Sequence, residues 1–345
     1  MKLSDFDYQL PKELIAQYPL KRRDSAKLLV LDRHKGTFKH RIFKDIADYL
    51  NKDDLLVLND TKVLPARLKG ARTTGGRVEA LLLNRKGGLT FNALIKPSRL
   101  RYQEKIIFNG QKICGALTGK NELTFYARDI KEVYGSGKMP LPPYIKREPQ
   151  KLDDLYYQTV YAKKEGAIAA PTAGLHFTKA SLAQIKSRGI KTAYLTLHVG
   201  YGTFRPVKTE DIRQHKMEKE EFIIPAKTLM SIRAAKTKGK RIFAVGTTAL
   251  RAMETCADSL AEYGRRNTDD GIRTTEYSSS TNLFIYPGYK FKITDALLTN
   301  FHLPRTTLFI LVCAFAGEKL IKAAYKAAIE KKYRFYSYGD AMLIV

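Results

Sequence analysis

The order of apolar and polar residues divides the chain into two kinds of segment. After position 150, short apolar runs of strand type alternate with segments whose apolar residues recur every three or four positions, as in amphipathic helices. Two earlier runs, KLLVLDR and DDLLVLND, resemble the same buried strands. This alternation predicts an α/β domain with a largely parallel sheet, formed by residues 1–60 and 151–345.

Local signals predict several limits in this domain. Thr178 is expected to begin a helix that runs to about Arg188, and Gly189 to end it in the left-handed conformation. The run TNLFIY is predicted to be a strand, and TTLFILVCAFAGEKLIKAAYKAAIEKKY one long helix. The longest uncharged apolar run, LFILVCAFAG, is about half as long as a membrane span, so it predicts a buried core helix and no membrane segment.

Residues 61–150 show a different pattern. Short runs of strand type are separated by turn signals that contain glycine, and they read RVEALLLN, LTFNALI, KIIFNG, ICGALTG and LTFYARDI. Strands this short and this regularly spaced predict a small all-β barrel, inserted into the α/β domain. Positions 62–150 hold 18 basic and 6 acidic residues, so positive charge is concentrated in the insertion.

The charge of the whole chain indicates what kind of partner the protein binds. Lysine and arginine number 61 against 34 acidic residues, which gives a net charge of +27 and predicts a polyanion partner. Nucleic acid is favoured over an anionic membrane surface. The three cysteines are widely separated, and Asp5 and Asp7 stand where a secretory leader would be apolar, so we expect a protein of the reducing cytoplasm.

Four loops follow predicted strands and read PTAGLHF, GYGTF, GTT and NFHLP. The carboxyl ends of parallel strands meet at one edge of a sheet, where α/β proteins bind their ligands. Glycine and threonine beside a helix start permit close backbone approach and leave amide donors free. The ligand-binding candidates from these loops are Thr172, Ala173, Gly174, Gly200, Gly202, Thr203, Phe204, Gly246, Thr247, Thr248 and Asn300.

Proton-transfer candidates come from the same loops. His176 and His302 are the first choice, because imidazoles titrate near neutral pH, although a buried histidine often only satisfies a local hydrogen bond. His198 ends a strand beside the second loop. The carboxylate candidates are Asp60, Glu254 and Asp340. Glu254 has a second interpretation, an ion pair with the ligand-binding candidate Arg251 one helical turn earlier.

Known cofactor motifs do not occur in the sequence. GxxxxGK[ST], GxGxxG after a strand, and HExxH are all missing. We therefore expect a reaction that runs on side chains and backbone amides, with no metal site and no resident cofactor.

Two basic groups are candidates for RNA binding. Lys319, Lys322 and Lys326 recur at spacings of three and four on one helix face, for which an ordinary solvated face is the alternative. Arg99, Arg101 and Lys105 lie in the basic insertion.

Longer motifs resemble a known family, the S-adenosylmethionine:tRNA ribosyltransferase-isomerases. They include NDTKVLPARL, AAPTAGLHFT, VGYGTFRPV, YPGYKFKITDALLTNFHLPRTTL and YRFYSYGDAM, and they extend over nearly the whole chain. The resemblance implies a monomeric bacterial enzyme of queuosine biosynthesis in the cytoplasm. It implies that the ribosyl part of S-adenosylmethionine, a consumed co-substrate, moves to 7-aminomethyl-7-deazaguanine at the tRNA wobble position. Epoxyqueuosine-tRNA, adenine and methionine are the implied products.

Within this resemblance, His176 and His302 become acid and base candidates, and Asp60, Glu254 and Asp340 become supports or amine contacts. Residues 200–204 and 246–248 are assigned to the nucleoside and methionine ends of the donor. Two alternatives remain open. One is an RNA-binding protein without catalysis, and the other is an S-adenosylmethionine-dependent RNA methyltransferase, which the missing glycine-rich turn disfavours.

Overall fold

The computed structural model describes residues 1–110, 112–200, 207–260 and 276–345. Contacts within the chain divide it into two units. The first unit contains Met1–Thr61, Thr159–Lys164 and Ala170–Val345, and the second contains Lys62–Gln158 and Glu165–Ala169. The sequence places residues 151–158 and 165–169 in the α/β domain. By their contacts they belong to the second unit, together with the insertion.

A nine-stranded sheet forms the centre of the first unit. In spatial order its strands are β15 (Glu276–Thr281), β13 (Glu220–Pro225), β12 (Lys191–Leu197), β3 (Leu55–Asn59), β14 (Ile242–Val245), β16 (Ala296–Asn300), β17 (Ala341–Ile344), β1 (Lys27–Asp32) and β2 (Thr37–Ile42). The four central strands β12, β3, β14 and β16 are mutually parallel. Strand β17 runs antiparallel to β16 and parallel to β1, and β2, β13 and β15 are antiparallel to their neighbours. The predicted α/β class is confirmed, and the sheet is mixed.

Within the described residues, five α-helices accompany this sheet. They are α3 (Lys179–Ser187), α4 (Ala226–Thr237), α5 (Thr247–Thr255), α6 (Thr307–Ala316) and α7 (Glu318–Glu330). The predicted start of α3 is confirmed, because the Thr178 side chain accepts a hydrogen bond from the Ser181 amide. Its predicted end is confirmed as well, since Gly189 has φ +76°.

Two local predictions are wrong. The long C-terminal helix is two helices, because Gly317 between them adopts φ +87°, a conformation that favours glycine and interrupts the helical hydrogen bonds. The run TNLFIY is not a strand beyond its first residue. Strand β15 ends at Thr281, whose hydroxyl accepts the Leu283 amide and directs the chain away from the ladder.

The core of the first unit lies against both faces of the sheet. All five residues of β3 are buried, as expected for a central strand covered on each side. On one face, Leu56 and Leu58 join a cluster that includes Phe43 and Phe177. Helix α7 presents its own buried stripe, which ends in Tyr325 and Ala328. Burial on both faces marks β3 as a central strand of the sheet.

The second unit contains a closed six-stranded antiparallel barrel. In order around it the strands are β10 (Glu122–Tyr126), β7 (Thr90–Lys96), β6 (Arg77–Gly87), β5 (Arg67–Arg72), β8 (Lys105–Phe108) and β9 (Ile113–Gly119). The predicted barrel is confirmed. Contacting rings of Phe91, Phe108 and Phe125 fill its interior. The remaining elements are β4 (Thr61–Val63), which pairs with β11 (Lys164–Ala167), and the short helices α1 (Ile130–Gly135) and α2 (Lys151–Tyr156).

Gly70 makes a close approach between β5 and β8. A methyl group at this position would lie 2.5 Å from the Ile107 carbonyl oxygen. We therefore expect Gly70→Ala to lower the free energy of unfolding by about 1–3 kcal/mol in urea titrations, since the backbone has to move apart. Gly87→Ala is the matched control, because a methyl group there meets no atom within 4 Å and is expected to change stability by less than about 0.5 kcal/mol. Equal effects of the two substitutions would contradict this account of the barrel.

Candidate functional site at the carboxyl edge of the sheet

The four parallel strands of the first unit end at the same edge of the sheet. Gly200 follows β12, Asp60 follows β3, Gly246 follows β14, and His302 follows β16. The first predicted loop does not extend a strand of this sheet, because β11 pairs only with β4. Its residues 172–176 instead form a 3₁₀ turn that contacts β16. Segments distant in sequence are thus brought together at one edge.

Close packing determines the position of this 3₁₀ turn. A methyl group on Gly174 would lie 2.1 Å from the Tyr161 hydroxyl and 2.8 Å from the Thr159 methyl carbon, so only glycine fits. The Ala173 methyl lies 3.7 Å from where a side chain of Gly246 would begin. Thr172 is the partly exposed first residue of the turn. The turn therefore lies directly beside the start of α5.

His176 is buried in this turn with its side chain in an unusual state. It is 4% exposed and its ring lies 5.1 Å from that of Phe43. Burial lowers its pKa to about 4, and the Asn300 side chain acts in the opposite direction by favouring the protonated ring. Its Nε2 atom has no partner of good hydrogen-bond geometry among the described residues. The imidazole is therefore neutral at pH 7 and has one nitrogen available.

Other buried polar atoms near His176 also lack a hydrogen-bond partner. Within the described residues, atoms without a hydrogen-bond partner include Asn300 Oδ1, Tyr161 Oη, Thr159 Oγ1 and Arg334 Nη1. Tyr161 and Thr159 contact Gly174, and Arg334 acts on the His176 charge. Buried polar groups in proteins are nearly always paired, so a group of unpaired ones points to a polar ligand. The sequence reading identified His176 and Asn300 but missed the others, which lie on separate segments.

Asn59 connects the next three segments of the edge. Its amide group donates to the Leu197 carbonyl at 2.9 Å and to the Thr248 hydroxyl at 3.2 Å, and its carbonyl accepts the Leu197 amide. Asn59 is not among the site residues predicted from the sequence, although a polar residue at the end of an apolar run is a recognisable signal. It holds β3 and β12 to the first turn of α5.

Asp60 and His198 lie beside Asn59. Asp60 accepts the Thr196 hydroxyl at 2.6 Å, and His198 Nδ1 lies 2.8 Å from the Thr61 hydroxyl. Burial lowers the pKa of His198, while Glu221 and Asp60 oppose this shift. Asp60 and His198 thus each form a hydrogen bond with a threonine side chain at this edge of the sheet.

Gly246 is required by the backbone at the start of α5. It has φ +90°, outside the range that other residues adopt without strain. Thr247 and Thr248 follow as the first helical residues, so their amides lie at the helix N-terminus, where anionic groups bind. All three residues are buried at this end of the helix.

A buried ion pair holds the Gly200 segment. Arg251 donates to the Glu220 carboxylate, and Glu220 also accepts the Gly200 amide at 3.0 Å. Both side chains are about as buried as His176. The alternative interpretation of Glu254, an ion pair with Arg251, is therefore wrong, since strand β13 supplies the carboxylate from 31 residues away. Gly202, Thr203 and Phe204 lie outside the described residues.

Glu254 and Asp340 bind backbone amides. Glu254 accepts the amides of Lys292, Ile293 and Thr294, and so ties down the segment before β16. Asp340 accepts the amides of Lys27 and Arg334, and burial raises its pKa. These hydrogen bonds indicate that Glu254 and Asp340 hold the backbone in place, and they favour that role over a direct contact with a ligand.

His302 lies on the face of the sheet opposite His176. Its Nε2 atom is 2.8 Å from the hydroxyl of Thr299, which precedes Asn300 in β16. Consecutive strand side chains point to opposite faces, so the partners of the two histidines lie on different sides of the sheet. The His302 backbone also bonds to Tyr325 and Tyr8, and burial lowers the ring pKa to about 3. The two imidazoles therefore do not form one acid–base pair.

The basic candidates are exposed in their separate units. Lys319 and Lys326 are exposed on α7, opposite its buried stripe, and Lys322 pairs with Glu318 at 2.7 Å. Arg99, Arg101 and Lys105 are exposed in the barrel unit. Among the described residues, no cluster of three or more histidine, cysteine or acidic side chains has the arrangement of a metal site. In the same part of the chain, no helix has both the length and the apolar character that crossing a bilayer requires.

A cavity of about 600 Å³ lies at the opposite edge of the sheet, where β14 and β16 begin. Its arginines are already engaged. Arg33 donates to the carbonyls of Phe315 and Asp295, and Arg241 pairs with Asp54. We therefore place the candidate site at the carboxyl edge, where polar atoms are unpaired.

An α/β sheet with polar loops at its parallel strand ends defines a class of ligand-binding enzyme, and comparisons identify the family within it. Residues 3–344 match the family described as queuosine biosynthesis protein. S-adenosylmethionine:tRNA ribosyltransferase-isomerases from Sulfurihydrogenibium sp. (strain YO3AOP1) and Thermosipho africanus (strain TCF52B) are 51% and 50% identical over 100% of both chains. The crystal structure of S-adenosylmethionine tRNA ribosyltransferase from Thermotoga maritima has a TM-score of 0.56 at 35% identity, over 99% of this chain and 100% of that one.

The chain therefore belongs to the S-adenosylmethionine:tRNA ribosyltransferase-isomerase family of queuosine biosynthesis. It is an enzyme, both transferase and isomerase, and the resemblance seen in its motifs is confirmed.

Burial of the two neutral histidines predicts a pH-dependent stability. Both bind protons in the unfolded chain near the ordinary pKa of 6.5 but stay neutral when folded until about pH 4 or lower. Stability is therefore fully present above about pH 6.5, and between that pH and its folded pKa each histidine removes at most roughly 1 kcal/mol per pH unit. Urea unfolding at about pH 7 and pH 5 measures this loss.

Matched variants separate the histidines from other titrating groups. His302→Gln should reduce the difference between the two pH values, whereas His34→Gln, at an exposed turn, should preserve it. A pH difference that is the same in both variants would show that buried His302 does not contribute.

Proposed function

We propose that this enzyme transfers and isomerises the ribosyl moiety of S-adenosylmethionine onto 7-aminomethyl-7-deazaguanine at the wobble position of tRNA. The products are epoxyqueuosine-tRNA, adenine and methionine. The identity to the curated relatives over the full length of both chains supports the reaction class. The substrate base and the products follow the resemblance of the motifs.

One structural observation carries the location of this chemistry. The neutral His176 has an unpaired Nε2 atom, and it lies among further unpaired polar atoms at the carboxyl edge of the sheet. A group of buried, unpaired polar atoms of this kind suits a nucleoside, whose hydroxyl and ring-nitrogen groups can pair with such atoms. It also excludes water, which protects a reactive sulfonium from hydrolysis.

The proposed chemistry needs proton transfers that side chains can perform. A sulfonium acidifies the neighbouring C5′ protons, so that a base can remove one. Adenine leaves when its C1′–N bond breaks and an acid protonates the departing ring. The attacking amine of the deazaguanine forms its new bond to a ribosyl carbon and loses a proton, which a desolvated site favours. The C5′–S bond breaks, methionine leaves with the electron pair as a neutral thioether, and an oxygen of the ribosyl group takes its place on C5′ to close the epoxide.

We assign His176 the principal proton-transfer role in these steps. Its neutral ring can accept a proton at Nε2, and Asn300 favours the charged form that results. Asp60 and His198 are proposed to contact the amine or the ribose, because they lie at the ends of β3 and β12. Residues 246–248 are proposed to bind the methionine carboxylate at the N-terminus of α5.

The other assigned residues act as supports in this proposal. His302, Glu254 and Asp340 hold backbone or side-chain groups around the edge. Arg251 orients Gly200 through Glu220, on the side proposed for the nucleoside.

The remaining properties are proposed on charge and composition. The anticodon region of tRNA is the proposed partner, in keeping with the net charge of +27. S-adenosylmethionine is proposed as a consumed substrate, with no resident cofactor, and the enzyme as a monomer. All three cysteines are free, which fits the cytoplasm.

A single incubation discriminates this proposal from its alternatives. The enzyme is mixed with S-adenosylmethionine and tRNA carrying the aminomethyl base, and small products are separated by chromatography. Adenine and methionine in equal amounts support the proposal. S-adenosylhomocysteine would indicate a methyltransferase, and tRNA binding with neither product would indicate a non-catalytic binder.

His176→Ala is expected to lower the single-turnover rate of adenine release at least about tenfold, because it removes the proposed proton acceptor. The exposed His34→Ala is the matched control and should retain the wild-type rate. Circular dichroism confirms that both variants are folded. An unchanged rate in a folded His176→Ala enzyme would remove this residue from the mechanism.

A further inference from the structure

The barrel unit carries two prominent exposed aromatic side chains. Tyr102 is 69% exposed and Tyr126 is 60% exposed. Tyr126 ends β10, and Tyr102 lies in the segment that leads into β8. Single exposed apolar residues are common, so their meaning depends on what surrounds them.

Tyr102 is held by a rigid turn. The Glu104 amide donates to the Arg101 carbonyl at 3.0 Å, and the Arg101 amide donates back to the Glu104 carboxylate at 2.8 Å. Gln103 has φ +58°, and its amide donates to the Leu117 carbonyl on β9. Tyr102 is therefore presented to solvent on a fixed backbone, which reduces the entropy lost when a partner binds.

The register of the barrel puts Tyr126 and Lys105 on the same outer wall. Tyr126 pairs with Cys114, and Cys114 pairs with Ile107. Lys105 is two residues before Ile107, so its side chain also points outward. Tyr126 and Lys105 are separated by two strand spacings and two residues, about 12 Å. One short single strand can therefore span both.

The cations of this wall are not neutralised. Arg99, Arg101 and Lys105 have no ion-pair partner among the described residues, and all three are exposed. The acid closest in sequence, Glu104, is engaged by Arg72 at 3.4 Å and by the Arg101 amide. A positive surface with exposed rings matches the chemistry of single-stranded nucleic acid, in which bases stack and phosphates carry charge.

We propose that these five residues, Arg99, Arg101, Tyr102, Lys105 and Tyr126, form a binding strip for single-stranded RNA. Tyr102 and Tyr126 stack on unpaired bases, and the three cations contact phosphates. The proposal rests on the proposed tRNA substrate, whose anticodon loop offers unpaired bases, and it assigns the barrel a direct role in RNA binding.

The tyrosines are tested by fluorescence anisotropy with an anticodon stem-loop RNA. Tyr102→Ala and Tyr126→Ala are each expected to raise the Kd about 5- to 100-fold, whereas Tyr102→Phe keeps the ring and should bind nearly as the wild type does. Wild-type affinity in both alanine variants would overturn the strip, and so would an equal loss in Tyr102→Phe.

The cations are tested by the salt dependence of the same Kd. Replacing Arg99, Arg101 and Lys105 together by glutamine should reduce the slope of log Kd against log salt by about 2. Each lost contact with a single-strand phosphate lowers the slope by about 0.7. Arg85→Gln is the control, since Arg85 is exposed on β6, opposite β9 in the barrel. The slope for Arg85→Gln should stay at the wild-type value, since a fall of about 0.7 would indicate that Arg85 contacts a phosphate as well. An unchanged slope in the triple variant, or binding of anionic phospholipid vesicles in preference to RNA, would contradict the proposal.

Adenine release by the wild-type enzyme keeps the two proposals separate. If adenine is released and Tyr102→Ala still binds RNA normally, the strip is wrong and the enzymatic proposal stands. If no adenine is released but RNA binding depends on Tyr102, the strip stands and the enzymatic proposal fails.

Discussion

The parallel direction of four adjacent strands is the constraint on which the candidate site depends. Because β12, β3, β14 and β16 run the same way, the segments that follow them emerge at a single edge. Reversing any one of them would carry its loop to the other edge. The directions follow from connectivity, since two neighbouring strands are parallel only when the segment between them crosses back to the edge at which the first strand began.

Where strand ends converge, backbone polar groups have no partner in the strand ladder and need another hydrogen bond. Asn59, Glu220, Glu254 and Asp340 each accept backbone amides from a neighbouring segment, so these buried side chains replace the hydrogen bonds that a regular ladder would provide. The atoms left over are then informative. His176 Nε2 and Asn300 Oδ1 remain unpaired, together with buried atoms of Tyr161, Thr159 and Arg334.

Much of this fold was accessible from the sequence, because local patterns carry local structure. The cap at Thr178, the left-handed Gly189 and the apolar runs of the strands are all short-range signals. Strand direction is less accessible, since whether β17 runs with or against β16 depends on how the two intervening helices return the chain. The break at Gly317 was hidden by apolar spacing that continues on both sides of it.

The candidate site was predictable as a set of loops but not as a set of contacts. The partner of Arg251 lies on another strand, and no spacing rule links it to Glu220. The same limit applies to His302, because its sequence environment resembles that of His176 while its ring bonds to Thr299 on the other face. A residue type at a strand end thus indicates which edge it occupies. The alternation of β16 decides which face His302 occupies through Thr299, whereas His176 is placed by its 3₁₀ turn and keeps an unpaired Nε2 atom.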